Sequence, residues 1–413
     1  MNKNTKTDPI TLRCVSGKPI LVFIILISAI SAVKAEWQIE PALKVGVEKD
    51  DNPALSSRTD DVLKDTGLLY DVSARFDYQS PLTKFYVAPR LLSRNYSDHP
   101  DELDSDDWYL KSSFSHDTKS STLRIRLNYT EQSVRQAERS DADLDVDNPD
   151  EIPDDDTGLV RLRGDREKWR ISPQWSYRFS DISSFGIAFD YVDVSYSEAF
   201  QLLLTDYTDA RLSLSLERAF SERTSGFLTA TGRRYEPADL TSEVTGYGLM
   251  AGFERSLSEA ATARVFIGVE ESQTTTSDND PNFVANISLR RRLETIDLLA
   301  QYRRTMNASG SGRVSARDAI NLNLSRRLNE KITAGLGVRA YQEGDVNDSV
   351  STSERDYVQL RAQFIWHISA VFATEVNYRY TFQKRSALTE SANSNQVILW
   401  FIYQPNSIDR RFR

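Results

Sequence analysis

A single cysteine in 413 residues, Cys14, leaves nothing to build a disulfide frame or a thiolate metal site with. Histidine is scarce too, with only His99, His116 and His367, spaced too far apart along the chain to suggest a ligand cluster. Long apolar runs are missing after the first 35 residues. The longest compact one, Val397 to Tyr403, falls well short of the roughly 18 to 20 residues that a membrane-spanning helix needs. Positive charge is in deficit: 51 Lys and Arg against 60 Asp and Glu give a net charge of -9, which argues against a nucleic-acid binder. These absences exclude a helical membrane protein and a disulfide-stapled secreted domain.

The first 35 residues have the layout of an export signal. Lys3, Lys6, Arg13 and Lys18 precede the apolar run Ile20 to Ile30, and Val33 and Ala35 place small residues at the -3 and -1 positions of a cleavage site. The mature chain is then expected to begin near Glu36, with 46 basic and 59 acidic residues. Three segments follow from this reading: residues 1–35 as signal peptide, 36–404 as a single folded unit and 405–413 as a C-terminal tail.

Almost everywhere after Glu36 apolar residues alternate with polar ones. In the first stretch Trp37, Ile39, Leu43, Val45 and Val47 share one face, and Gln38, Glu40, Lys44 and Glu48 the other. The same period recurs in Leu68 to Tyr78, Leu123 to Tyr129, Trp169 to Phe179, Phe185 to Tyr191, Ala210 to Leu216, Tyr247 to Phe253 and Ala263 to Val269. It continues through Phe283 to Leu289, Ile296 to Tyr302, Ile320 to Leu324, Ile332 to Ala340, Val358 to Trp366 and Phe372 to Tyr380. With weaker segments near 84–95, 108–116, 225–235 and 395–404, the pattern predicts 18 strands. Val192, Val194 and Tyr196 lie on the opposite face from Phe189, which predicts a bulge or a register change there.

Connector lengths alternate as well. Short turns at Gln79–Leu82, His116–Lys119, Ser180–Ser183, Ala219–Arg223, Ser256–Ala260, Arg291–Glu294, Leu328–Glu330 and His367–Ala370 separate long polar loops near 49–66, 97–107, 132–167, 197–206, 236–243, 272–282, 305–315, 342–355 and 383–394. A soluble sandwich has no reason to sort its loops in this way. A transmembrane barrel does, with short turns at one rim, long loops at the other and an even strand number. The predicted fold class is therefore all-β: a single-chain antiparallel transmembrane barrel of about 18 strands in the outer membrane of a Gram-negative cell. Because no water satisfies the backbone in lipid, such a sheet must close. Trp108 and Trp169 at the start of descending strands, and Trp366 and Phe179 at their ends, suit aromatic girdles at the two interfaces.

The stretch Pro41 to Leu55, with Asp50-Asp51-Asn52 just after the first strand, resembles proteobacterial barrels of the porin-2 type that accompany exopolysaccharide and exosortase systems. The resemblance implies a porin-like channel and, through its association, a saccharide cargo. One departure is that Pro405 to Arg413 follow the last strand and Phe412 is penultimate, whereas many such barrels end on a terminal aromatic.

On the face opposite the apolar one the strands carry Arg75, Arg124, Arg126, Arg170, Arg178, Arg211, Arg303, Arg339, Arg361 and Arg379, against Asp71, Asp77, Glu217, Asp297 and Glu375. A water-filled channel lined in this way concentrates anions, and each guanidinium offers a fork suited to carboxylate or phosphate. The bland alternative is that these arginines pair with lumen acids and stiffen the wall. Arg124 and Arg126 separate the two readings, because they share a face without an adjacent acid. The loop from Asp141 to Asp156 holds nine acids and no base. Asp141, Asp143, Asp145 and Asp147 could offer oxygen ligands to Ca²⁺, but the spacing lacks the glycine and terminal glutamate of an EF-hand, and a solvated loop is the simpler reading. Folded inward, the loop would act as a charge plug over a basic lumen.

Enzymatic readings are poorly supplied: only His99, beside Asp98 and Asp101, could serve a site on the rim. No globular plug precedes the first strand, unlike an energised siderophore-type transporter. The expected role is passive passage or export of anionic solutes or exopolysaccharide, with a non-conducting structural or surface-interaction barrel as the alternative. The expected partners are outer-membrane lipid and lipopolysaccharide, the barrel-assembly machinery and anionic or saccharide cargo, with no cofactor beyond the Ca²⁺ considered above.

Overall fold

The structure, a computed structural model, describes residues 36–58, 62–139, 155–160, 163–197, 204–238, 243–274, 277–278, 281–345, 355–385 and 391–405. Alternation produces what it predicts. The strands are β1 (Glu36–Asp50), β2 (Asp65–Gln79), β3 (Thr83–Tyr96), β4 (Ser105–Asp117), β5 (Ser121–Ser133), β6 (Asp165–Ser180), β7 (Ser183–Tyr196), β8 (Tyr207–Ser221) and β9 (Thr224–Pro237). They continue as β10 (Val244–Ser258), β11 (Ala261–Thr274), β13 (Asn282–Arg292), β14 (Ile296–Ala308), β15 (Val314–Arg327), β16 (Ile332–Asp345), β17 (Arg355–His367), β18 (Phe372–Arg385) and β19 (Ser391–Tyr403). The two-residue β12 (Ser277–Asp278) folds back on β11 and is not a stave. Two single-turn helices, α1 (Pro100–Leu103) and α2 (Val134–Ala137), sit at the rim bearing the long loops.

Each long strand pairs antiparallel with its sequence neighbours, and β1 pairs with β19 from Leu43↔Tyr403 to Asp50↔Gln396. The result is a closed barrel of 18 strands with no free edge. Closure lets this sheet cross a bilayer, since every stave finds a partner on both sides. Pro89 and Pro173 interrupt their ladders without altering register: pairing resumes in step at Phe76↔Val87 and Gln174↔Ala188.

The outward face is apolar around the circumference. Trp37, Ile39, Val47, Leu212, Leu249, Ile267, Leu336, Phe364 and Leu399 are among its exposed side chains. Trp108 and Tyr247 mark one border of this band, Phe179, Phe220 and Trp366 the other. Exposure of this much hydrocarbon is unfavourable in water and favourable against acyl chains. The chain is an outer-membrane β-barrel.

Two expectations change. The ladder from Ser183↔Arg218 to Val194↔Tyr207 is continuous, so β7 has no bulge at Val192. Val192, Val194 and Tyr196 point into the barrel because its outer end holds an apolar cluster of its own, with Val134, Leu204, Tyr207, Tyr235 and Val244. The loop predicted at 305–315 shrinks to 309–313, because β14 and β15 stay paired up to Ala308↔Val314.

Candidate functional site

The lumen is crossed near its outer end by the two limbs of the connector between β5 and β6. One limb, α2 with Glu138 and Arg139, is buried throughout. The other, Asp155 to Val160, is buried at Asp156, Thr157 and Gly158. Polar groups on the wall hold both limbs. Arg135 donates to the Leu103 carbonyl (2.8 Å) and to the Tyr96 hydroxyl (3.3 Å), which itself donates to Glu48 (2.7 Å). Glu138 accepts from the Thr157 amide and hydroxyl (2.6 Å each) and the Tyr196 hydroxyl (2.9 Å), tying the two limbs together. Arg139 pairs with Asp50 (2.7 Å), donates to Ser394 (3.1 Å) and accepts from the Tyr357 hydroxyl through its carbonyl (2.8 Å).

The second limb is held by acids. Asp155 pairs with Arg166 and with Lys168 (2.8 Å) and accepts from Tyr207 (3.0 Å). Asp156, 1% exposed, lies between Arg317 (3.0 Å) and Arg355, with the Tyr341 hydroxyl at 2.8 Å, and Arg317 also reaches Glu343 (2.7 Å). Tyr341 and Tyr357 stack at 4.7 Å beside this node. Gly158 has φ +68°, and a Cβ there would sit 2.4 Å from the Arg355 guanidinium carbon, so only glycine lets the backbone pass. Carboxylates this deeply buried persist because each is paired and hydrogen-bonded.

Two carboxyls in these limbs titrate away from ordinary values. Burial pushes Glu138 up, against the pull of Arg166 and the Thr157 donors. Burial also acts on Asp155, but Arg166 and Lys168 outweigh it and hold that carboxyl well below the usual range.

The ten predicted lumen arginines divide by environment. Arg75 pairs with Asp77 (2.7 Å) over the Tyr86 ring, and Arg170 pairs with Asp190 (2.8 Å). Arg339 is fully buried beside Tyr341, Arg303 lies opposite Asn286, and Arg361 and Arg379 face one another in register. Arg124, Arg126, Arg178 and Arg211 form no side-chain ion pair or hydrogen bond among the described residues. The cross-strand neighbours of Arg124 are Ser115 and Gln174, those of Arg126 are Ser113 and Ser172, and Arg178 faces Ser184; none is charged. The expected acids bind mostly elsewhere: Asp71 to Arg90 (2.9 Å), Asp297 to Arg290 and Arg292, Glu375 to Gln363 and Asn377.

Sequence reasoning missed the cations that anchor the limbs, Arg139, Arg166, Arg317 and Arg355. Arg317 shares the inward parity of Asn321 and was legible on that ground; Arg139 and Arg355 fall in stretches whose composition reads as loop. Asp141, Asp143, Asp145 and Asp147 lie outside the described residues, and no metal-binding cluster of His, Cys, Asp or Glu occurs among the described residues. His99 contacts Asp65 at the outer end (3.2 Å), whereas His116 and His367 close strands at the inner end.

No protein-family model matches the chain, and no curated protein is similar to it in sequence. Solved structures of similar architecture include a BenF-like porin from Pseudomonas fluorescens Pf-5, with 9% identity, TM-score 0.47 and coverage of 90% of this chain and 99% of that one. OccK2 (OpdF) from Pseudomonas aeruginosa, solved in complex with glucuronate, has 10% identity and TM-score 0.46 over 89% and 98% of the two chains. OccAB4 from Acinetobacter baumannii has 10% identity and TM-score 0.46 over 90% and 98%. These likenesses are of a large barrel only.

Proposed function

We propose that the barrel is a passive, anion-preferring channel whose outer half is narrowed by the inward-folded connector. The observation that carries this is the unpaired guanidinium row Arg124, Arg126 and Arg178 on the inner half of β5 and β6, among serines and a glutamine. A positive wall without compensating carboxylates raises the local concentration of anions and repels cations. Small anionic solutes are the cargo such a wall would concentrate, and acidic exopolysaccharide would pass only with the connector withdrawn.

The test is the reversal potential of single channels in a salt gradient. The wild type should prefer anions, and Arg124→Ser with Arg126→Ser should move the reversal potential toward zero. Cation preference in the wild type, or a double variant that leaves the potential unchanged, counts against the reading. A non-conducting surface barrel is the second reading, favoured by the extent to which the two limbs span the lumen; an absence of current in correctly folded protein would support it.

A further inference from the structure

At its outer end the wall opens between β13 and β14. Their ladder runs from Arg292↔Asp297 to Ala285↔Arg304 and stops, while β14 remains paired with β15 four residues further, to Ala308↔Val314. Other donors then serve the backbone groups released above the break. The Phe283 carbonyl accepts from Arg304 Nε at 3.1 Å. The Met306 carbonyl accepts from Arg233 Nη1 of β9 at 2.6 Å, and the Ser309 carbonyl from the Tyr235 hydroxyl at 2.8 Å. The outer end of β14 is thus held over β9 instead of lying against β13.

Beneath it lies a cavity of about 140 Å³, lined by Arg211, Thr231, Met250, Glu270, Arg303 and Met306 among others. This is roughly the size of cavity that admits benzene. Two of its polar groups have bonding capacity to spare. Arg211 makes no ion pair or hydrogen bond among the described residues. Glu270 is 8% exposed, and its Oε1, shielded from solvent, has no hydrogen-bond partner. Glu270 Oε1 forms one long ion pair with Arg233 Nη1 (4.0 Å), and Arg233 is itself engaged by the Met306 carbonyl and, through Nε and Nη2, by Asp209. A guanidinium and a buried carboxylate that share a cavity without bonding each other are complementary to a molecule carrying the opposite pair.

We infer that this recess binds a small carboxylate that also bears a hydroxyl or ammonium donor, its carboxylate on Arg211 and its donor on Glu270. The Met250 and Met306 side chains of the lining suit a short carbon chain between the two. The inference rests on the channel reading for the route by which the ligand arrives, but binding itself needs no current.

The test uses the full barrel folded in detergent, with folding verified by heat-modifiable mobility, and titration calorimetry with L-serine, L-lactate and acetate. L-serine and L-lactate should bind saturably, with acetate weaker by roughly tenfold for want of the donor. Arg211→Met should weaken all three by at least about tenfold. The isosteric Glu270→Gln should weaken L-serine far more than acetate, and it supplies an independent readout if the arginine variant does not fold. No saturable binding of L-serine or L-lactate by folded wild type, or variants that bind as wild type does, would overturn the site. Reversal potentials on the same preparation keep the two readings apart: anion preference without ligand binding sinks only the recess, and binding without conductance sinks only the channel.

Discussion

Asp156 shows how much one residue does here. Its carboxylate lies between Arg317 and Arg355, with the Tyr341 hydroxyl as a third partner, and it is almost wholly withdrawn from solvent. Removing one member of such a buried set costs about 3–5 kcal/mol, because the partners keep their charge and lose its counterpart. Asp156→Asn should therefore release the second limb, seen as larger and noisier single-channel currents; currents identical to wild type would show that the limb is held without this pair. Glu138 carries a pH dependence. Burial raises its carboxyl above the ordinary value, so the docked limb holds that proton more tightly than a free one would. Such a group stabilises docking below its ordinary value and loses that contribution as pH rises through the raised value. Asp155 has the opposite sign, and its contribution disappears only in strong acid. Dwell times in the narrowed state should thus lengthen as pH falls through the raised value of Glu138, and Glu138→Gln should remove the dependence. Wild-type dwell times that do not move with pH would refute this.

Among the elements, the connector between β5 and β6 sends both of its described ends across the outer part of the lumen. Its acidic composition reads as a solvated loop, yet its two described ends are largely buried, because guanidiniums from β6, β15 and β17 converge on them. Deleting residues 141–156 takes away both acid anchors and should raise single-channel conductance; unchanged conductance would exclude the connector as the constriction. The staves themselves were legible in the sequence, since period 2 over ten or so residues is enforced wherever one face meets lipid and the other meets water. β7 shows where legibility stops. Its upper half keeps strict alternation, but the inward residues are Val192, Val194 and Tyr196, because an apolar cluster fills that part of the lumen. Alternation reports which residues share a face, and the neighbours determine what that face touches.

For the whole molecule the decisive feature is the seam where the first strand meets the last. Asp50, Asp51 and Asn52, which as a triplet suggested only a resemblance, fasten it. Asp51 accepts from the Asn395 amide and side chain (2.6 and 2.8 Å), and Asn52 donates to the Asn393 carbonyl (2.9 Å). Asp50 accepts from Ser394 (2.7 Å) and from Arg139, so the seam and the constriction share an anchor. Asp51→Ala should lower the temperature at which the folded, fast-migrating band disappears on electrophoresis, with little change in ion preference. An unchanged transition would mean that the β1–β19 ladder alone holds the seam. Arg124, Arg126 and Arg178, which have no charged cross-strand neighbour, stand at the opposite end of the barrel.

The amino-acid order alone determined the number of staves, the face each turns to lipid, the sorting of loops to one rim and the arginine-rich character of the interior. All of these are local: they depend on residue type at period 2 and on the distance between turns. Only the tertiary structure decided which arginines are spent on carboxylates and which are not, where β14 leaves β13, and that the two described ends of an acidic loop turn inward. Those outcomes depend on pairs such as Arg139 with Asp50 and Arg355 with Asp156, close in space and distant in sequence, and a barrel brings them together only when it closes.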